Sequence, residues 1–216
     1  MKPQINYHLY LVTDEVERCR YGLVETVRRA VEGGVTLVQY RSEKLSHEEQ
    51  KAQVLPLQAY LRSVGVPLII NDNVQLAVEI DAEGIHIGQD DMPVAQARAL
   101  IGPDKILGLT VTTAEQMAAV DTSMVDNIGC GPVFPTITKD DAPPPMGVEG
   151  WAKLARQSPL PIVAIGGLNK ERTAAIRATG LAAGVAVVSA CCSDKVPTFI
   201  NMPLAQLCSK SRISSE

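Results

Sequence analysis

Residues 67–91 read PLIINDNVQLAVEIDAEGIHIGQDD. Two short apolar runs, PLIIN at 67–71 and GIHIG at 84–88, flank a segment that opens on Asp72 and carries helical residues. Apolar, β-branched runs of this length suit strands buried on both faces. A strand, a helical segment and a second strand in succession imply two parallel strands.

The same unit recurs along the chain. Further strand candidates are 8–13 (HLYLVT), 36–41 (TLVQYR), 106–111 (ILGLTV), 126–130 (DNIGC), 161–166 (PIVAIG) and 184–189 (GVAVVS). Helical patterns lie between most of them. Leu23, Val27, Ala30 and Val31 form an i, i+4, i+7, i+8 stripe. Leu55, Ala59 and Leu61 belong to a second helix that Gly65 and Pro67 end. Thr112 or Thr113 is expected to cap a helix with Glu115 and Gln116, and Asn169 to cap the one holding Ala174, Ala175 and Ile176. Eight βα units in one modest chain predict an α/β fold, a single closed (β/α)₈ barrel over residues 1–216. A doubly wound open sheet is the alternative, because a pattern does not prove closure. No linker or composition shift divides the chain, and 209–216 (SKSRISSE) is expected to fray.

Composition narrows the function classes. The 216 residues are 46% hydrophobic and 20% charged, ordinary for a globular protein. The net charge of −4 and a pI near 5.5 argue against nucleic acid as main partner. No apolar run approaches a membrane span, and the N-terminus lacks the apolar core of a secretory signal. Five cysteines, an odd number without a C-x-x-C pair, read as reduced thiols of a cytoplasmic protein. The vicinal pair Cys191-Cys192 reads as ordinary packing. His8, His47 and His86 are too scattered to suggest a histidine metal site. Apolar faces on the outer helices leave homo-oligomerisation open.

In such barrels the site lies at the strand C-termini and the loops beyond them. The predicted strands deliver Arg41, Ser42, Glu43 and Lys44, then Asn71 and Asp72, then Gln89, Asp90 and Asp91, then Thr110, Gly166 and Gly167, and Ser189. Carboxylates from neighbouring strands make a sparse oxygen site. Mg²⁺ suits it, since that ion keeps several waters and takes one or two carboxylates plus phosphate oxygens. Helix capping is the plainer role for Asp72 and Asp91. Gly166-Gly167 stands where this fold cradles phosphate. The loop from Gly131 to Trp151, GPVFPTITKDDAPPPMGVEGW, is long for a connector. Thr136 and Thr138 alternate around Ile137, so both hydroxyls face one way in an extended segment, and Lys139 would serve a second anion. The residues thus describe a site for two anions and one divalent cation. No Ser-His-Asp set, nicotinamide fingerprint or Schiff-base lysine stands out.

The stretches LYLVTD at 9–14, VQYR at 38–41, IINDN at 69–73, GIHIGQDD at 84–91, GPVFPTITK at 131–139, VAIGGL at 163–168 and AVVSA at 186–190 resemble the thiamine phosphate synthase family. The resemblance spans roughly 8–190 and implies a (β/α)₈ barrel. It implies a transferase of thiamine biosynthesis that joins a hydroxymethylpyrimidine diphosphate to a thiazole phosphate, releasing pyrophosphate with Mg²⁺ by a dissociative route. It implies Asp72 and Asp91 as Mg²⁺ ligands. Gln39, Tyr40, Arg41, Lys44, Asn71, Thr110 and Lys139 would contact the pyrimidine diphosphate, with Arg41, Thr110 and Lys139 catalytic. Thr136, Ile137, Thr138, Gly167, Val188 and Ser189 would hold the thiazole phosphate. The long loop would close over both rings. Two departures stand out: Ser42 and Glu43 both intervene between Arg41 and Lys44, where the family has one residue, and Thr110 replaces a serine. Two other readings stay open. A thiazole tautomerase of the same fold needs a histidine just after strand five, where this chain has Thr112. A non-catalytic paralogue would bind thiamine phosphate without turnover.

Overall fold

In a computed structural model of the chain, which describes residues 2–15, 19, 21–136 and 142–188, eight parallel strands close into a barrel. They are β1 (Leu9–Val12), β2 (Leu37–Tyr40), β3 (Leu68–Asn71), β4 (Gly84–Ile87), β5 (Ile106–Val111), β6 (Asn127–Cys130), β7 (Ile162–Ala164) and β8 (Gly184–Val187). Each neighbours the next, and β8 returns to β1 through Leu9↔Val185, Tyr10↔Ala186 and Leu11↔Val187. That pairing excludes the open sheet. Among the described residues seven helices alternate with the strands: α1 (Leu23–Glu32), α2 (His47–Val64), α3 (Val74–Glu79), α4 (Val94–Ile101), α5 (Ala114–Ala118), α6 (Gly147–Ala155) and α7 (Lys170–Ala178).

The two faces of each strand explain the unbroken apolar runs. Tyr10, Val12, Leu37, Ile69, Ile106, Val163 and Ala186 fill the barrel interior. The alternate residues Leu11, Val38, Leu68, Ile70, Ile85, Leu107, Ile128 and Val185 pack outward beneath the helices. Side chains on a strand alternate between faces, so parity decides which layer a residue joins. Within α2, Val54, Leu57, Gln58 and Leu61 are buried, whereas Leu55 lies exposed.

Helix starts follow the expected chemistry in part. Thr113 caps α5 in a reciprocal box with Gln116, and the Asn169 side chain accepts from the Arg172 amide at 2.9 Å. Ser46 and Glu49 form a second box at α2. Gly65 ends α2 in the left-handed region at φ 69°. α3 is capped by Asn73, which accepts from the Leu76 amide at 3.1 Å while its amide group donates to Gln50 on α2. Asn73→Ala is expected to cost about 1 kcal/mol of stability, measured as a shift in the urea midpoint at unchanged slope. An unchanged midpoint would mean that the cap contributes nothing.

Candidate active site

The barrel mouth is built by parity from the strand tips. Gln39 and Arg41 follow the interior Leu37, Asn71 follows Ile69, and Thr110 follows Ile106 by four residues, so all four are directed inward. Gln39 is buried and donates to the Tyr10 hydroxyl at 2.8 Å. The Arg41 amide donates to Thr13 Oγ1 at 2.9 Å, and that hydroxyl donates back to the Arg41 carbonyl at 3.3 Å. This reciprocal lock makes the buried Thr13 a part of the rim that the sequence reading missed.

Tyr40 has the opposite parity. Its side chain joins the outer core, fully buried, and its hydroxyl donates to Gln53 on α2 at 2.7 Å. The expected side-chain contact of Tyr40 with ligand is therefore corrected: between two inward residues, a strand must send the middle one outward.

The loop after β2 is pinned from β1. Glu15 accepts from the Glu43 amide at 2.8 Å and from the Ser42 hydroxyl at 3.1 Å. The Glu43 carboxylate pairs with the Arg41 guanidinium. The extra residue thus places an acid on the rim arginine, while Lys44 stands exposed in the next position.

Asp72 and Asp91 follow the adjacent parallel strands β3 and β4 and so share one rim. Neither begins a helix: Asn73 caps α3, and α4 starts after Pro93 without a side-chain cap. Asp72 sits at φ 58°, a left-handed conformation that Asp and Asn tolerate best after glycine. Its amide donates to the His86 carbonyl at 2.9 Å, and its carboxylate accepts from Asn71 Nδ2. Asp91 Oδ2 accepts from the Gly88 amide at 2.6 Å. A β-carbon on Gly88 would lie 2.9 Å from that oxygen, so glycine makes room for the carboxylate. No group of three or more metal-ligating side chains occurs among the described residues. Two exposed carboxylates on neighbouring tips fit an ion that keeps most of its shell for water and phosphate.

Beneath this rim lies His86, directed inward from β4. Its Nε2 is 2.9 Å from Thr110 Oγ1, and its Nδ1 is sealed from solvent with no hydrogen-bond partner. The residue is half-buried, and the surrounding protein desolvates its ring. Burial lowers its pKa to about 4 against the opposing pull of Asp91. Gln89 Nε2 donates to the Thr110 carbonyl at 2.6 Å, tying the β4 loop to β5.

The opposite side of the mouth holds the glycine loop. Gly166 and Gly167 have φ 97° and 61°. The Val133 and Phe134 amides donate to the Ile165 and Gly166 carbonyls, at 2.9 and 3.1 Å. The long loop returns to its own start, where Met146 and Gly147 donate to the Pro132 and Val133 carbonyls. Arg172, in the first turn of α7, donates to the Gly167 carbonyl at 2.6 Å and stacks 4.7 Å from the Phe134 ring centroid. Val188 packs on the interior cluster, and Thr136 is half-buried at the start of the loop. Ile137, Thr138, Lys139, Ser189, Cys191, Cys192 and Cys208 lie outside the described residues. Cys19 and Cys130 are buried free thiols, and burial pushes Cys130 up to about 12.

The family described as "Thiamine monophosphate synthase" matches residues 9–191. A thiamine-phosphate synthase of Azorhizobium caulinodans is 48% identical over 185 residues, covering 86% of this chain and 87% of the relative. One of Syntrophomonas wolfei is 45% identical, covering 86% and 88%. The solved thiamine phosphate pyrophosphorylase of Pyrococcus furiosus superposes with a TM-score of 0.79 at 32% identity, covering 90% of this chain and 92% of that one.

Proposed function

Because this chain belongs to the thiamine monophosphate synthase family, we infer that it is a transferase joining a hydroxymethylpyrimidine diphosphate to a thiazole phosphate, with thiamine phosphate and pyrophosphate as products. The observation that supports this reading best is the rim itself: Gln39, Arg41, Asn71 and Thr110 directed inward, beside Asp72 and Asp91 on adjacent strand tips.

Arg41, with its backbone locked by Thr13, would turn its guanidinium from Glu43 to the diphosphate. Thr110 offers a hydroxyl inside the mouth. Asp72 and Asp91 would hold Mg²⁺, which, when bound, neutralises charge on departing pyrophosphate. Preorganised groups of this kind act most strongly where charge develops, on the leaving oxygens. Lys139 would add a second cation from the long loop. Gln39 and Asn71 orient the pyrimidine. Gly167, on the far side of the mouth, lets backbone approach an anion closely, and with Val188 and Thr136 it would hold the thiazole phosphate, to which Ile137, Thr138 and Ser189 would contribute by the resemblance. A neutral ring nitrogen attacks, so no general base is required. Holding the two rings in reacting geometry is then the main task of the mouth. Among the described residues no helix is long and apolar enough to cross a membrane.

The test is pyrophosphate release on mixing both substrates with Mg²⁺. Stoichiometric release supports the transferase. Tight binding of thiamine phosphate without turnover supports the non-catalytic reading. Tautomerisation of a thiazole without pyrophosphate supports the isomerase, which is disfavoured because Thr112 stands where that activity needs a histidine.

Glu43 supplies a further prediction. Its exposed carboxylate competes with the incoming diphosphate for Arg41. Glu43→Gln is expected to lower the KM for the pyrimidine diphosphate about two- to fivefold, the scale of an exposed ion pair, with kcat little changed. A raised KM in steady-state kinetics would show instead that Glu43 helps to hold the substrate complex.

A further inference from the structure

We propose that His86 is a positioning residue: its Nε2–H donates to Thr110 Oγ1 and so turns the hydroxyl hydrogen of Thr110 toward ligand in the barrel mouth. The inference rests on the reading of Thr110 as a substrate-facing residue and adds how that hydroxyl is aimed.

Three features of the ring's surroundings carry it. First, the barrel makes a slot for an imidazole. His86 pairs in register with Gly108, and Thr110 with Gly129. A β-carbon on Gly108 would lie 2.4 Å from Nδ1, and one on Gly129 would lie 2.9 Å from Cε1. Any larger residue on either strand would displace the ring. Second, the two nitrogens are not equivalent. Nε2 meets Thr110 Oγ1 at 2.9 Å, whereas Nδ1 is sealed without a partner. A sealed N–H without an acceptor is rarer in folded proteins than an under-satisfied acceptor. The proton therefore belongs on Nε2, and Nδ1 stays bare. Third, a hydroxyl has one hydrogen and two lone pairs. With Nε2–H donating into one lone pair, the hydrogen of Thr110 is not spent on His86. It is available to an anionic or carbonyl-like acceptor in the mouth. The opposite tautomer would consume that hydrogen and leave only lone pairs facing a diphosphate, which repel it.

The same residue also reaches the acidic rim. The His86 carbonyl accepts the Asp72 amide at 2.9 Å, so β4 sets the left-handed turn of Asp72 and the hydroxyl of Thr110 together. Neither link is visible as a motif. Each depends on the register of β3, β4 and β5.

The test pairs kinetics with spectroscopy. His86→Leu is expected to lower kcat about tenfold, the scale of one lost hydrogen bond to a reacting group, with both KM values within about twofold. His86→Gln, whose amide nitrogen can reach the Nε2 position, is expected to recover most of that loss. In the Thr110→Val background, His86→Leu should add no further loss, because its target is gone. An equal fall in both backgrounds, or a loss expressed in KM alone, would overturn the proposal. Independently of turnover, ¹⁵N ring shifts of the wild-type protein are expected to show a neutral His86 protonated on Nε2. Protonation on Nδ1 overturns the proposal even in an active enzyme. A wild-type protein that releases no pyrophosphate but shows the Nε2–H form would instead count against the transferase reading.

Discussion

Asp72→Asn is expected to lower the rate of pyrophosphate release by about two to three orders of magnitude, the cost of removing one preorganised electrostatic group from a transition state. Asparagine is the informative substitution. Asp72 sits at φ 58°, and asparagine tolerates the left-handed region at least as well as aspartate, whereas alanine adds backbone strain. The amide donation to His86 is a backbone bond and survives the exchange. What disappears is one negative charge at the tip of β3. The variant is therefore expected to melt close to the wild type while needing far more Mg²⁺ for half-maximal rate. Saturating Mg²⁺ should restore part of the activity. An excess of chelator should stop the wild-type enzyme. Full activity of Asp72→Asn at low Mg²⁺, or wild-type turnover in chelator, would remove the metal from the proposal. The two-carboxylate site would then be a feature of the loop alone.

Gly167→Ala tests the other half of the mouth. Gly167 has φ 61°, and a β-carbon there would lie 2.3 Å from the Pro135 carbonyl oxygen and 2.9 Å from Phe134 Cβ. These neighbours belong to the opening of the long loop, whose amides are already bonded to the carbonyls of 165 and 166. The substitution must push that segment aside. Overpacking costs about 1–3 kcal/mol, and a left-handed backbone with a β-carbon costs about 1–2 kcal/mol more. The displaced segment leads to Thr136 and the expected thiazole-phosphate residues. The KM for thiazole phosphate is expected to rise at least about tenfold, the effect of misplacing a charge-binding cradle by a fraction of an ångström. The KM for the pyrimidine diphosphate should stay within about twofold, because Arg41, Asn71 and Thr110 stand on the other strands. Equal rises for both substrates would assign the loop to the mouth as a whole and not to one anion.

The family resemblance and the rim were legible in the same residues, because this fold places chemistry where apolar runs end. Asp72, Asp91 and Thr110 could be named from position alone. The orientation of Tyr40 could have been read as well: alternation places it opposite Gln39 and Arg41, and the resemblance drew it into the site as part of a contiguous motif. His86 was the harder residue. As one of three scattered histidines it carried no metal signal, and its importance depends on Gly108 and Gly129 standing beside it in register. Thr13 and Glu15 were hidden for a similar reason, since each acts on a neighbouring strand's loop roughly 28 residues away.

Apolar runs of four to six residues, separated by amphipathic segments, determined the parallel strands, the helices around them and the end at which polar residues gather. These are local properties, since burial on both faces and helical periodicity are written within each segment. Closure of β8 onto β1, the capture of Arg41 by Glu43, and the pairing of His86 with Thr110 were decided only by the tertiary structure. Each of these depends on hydrogen-bond register between separate strands or on a loop's path between them. A one-residue slip in that register would turn every inward side chain outward while leaving the local pattern unchanged.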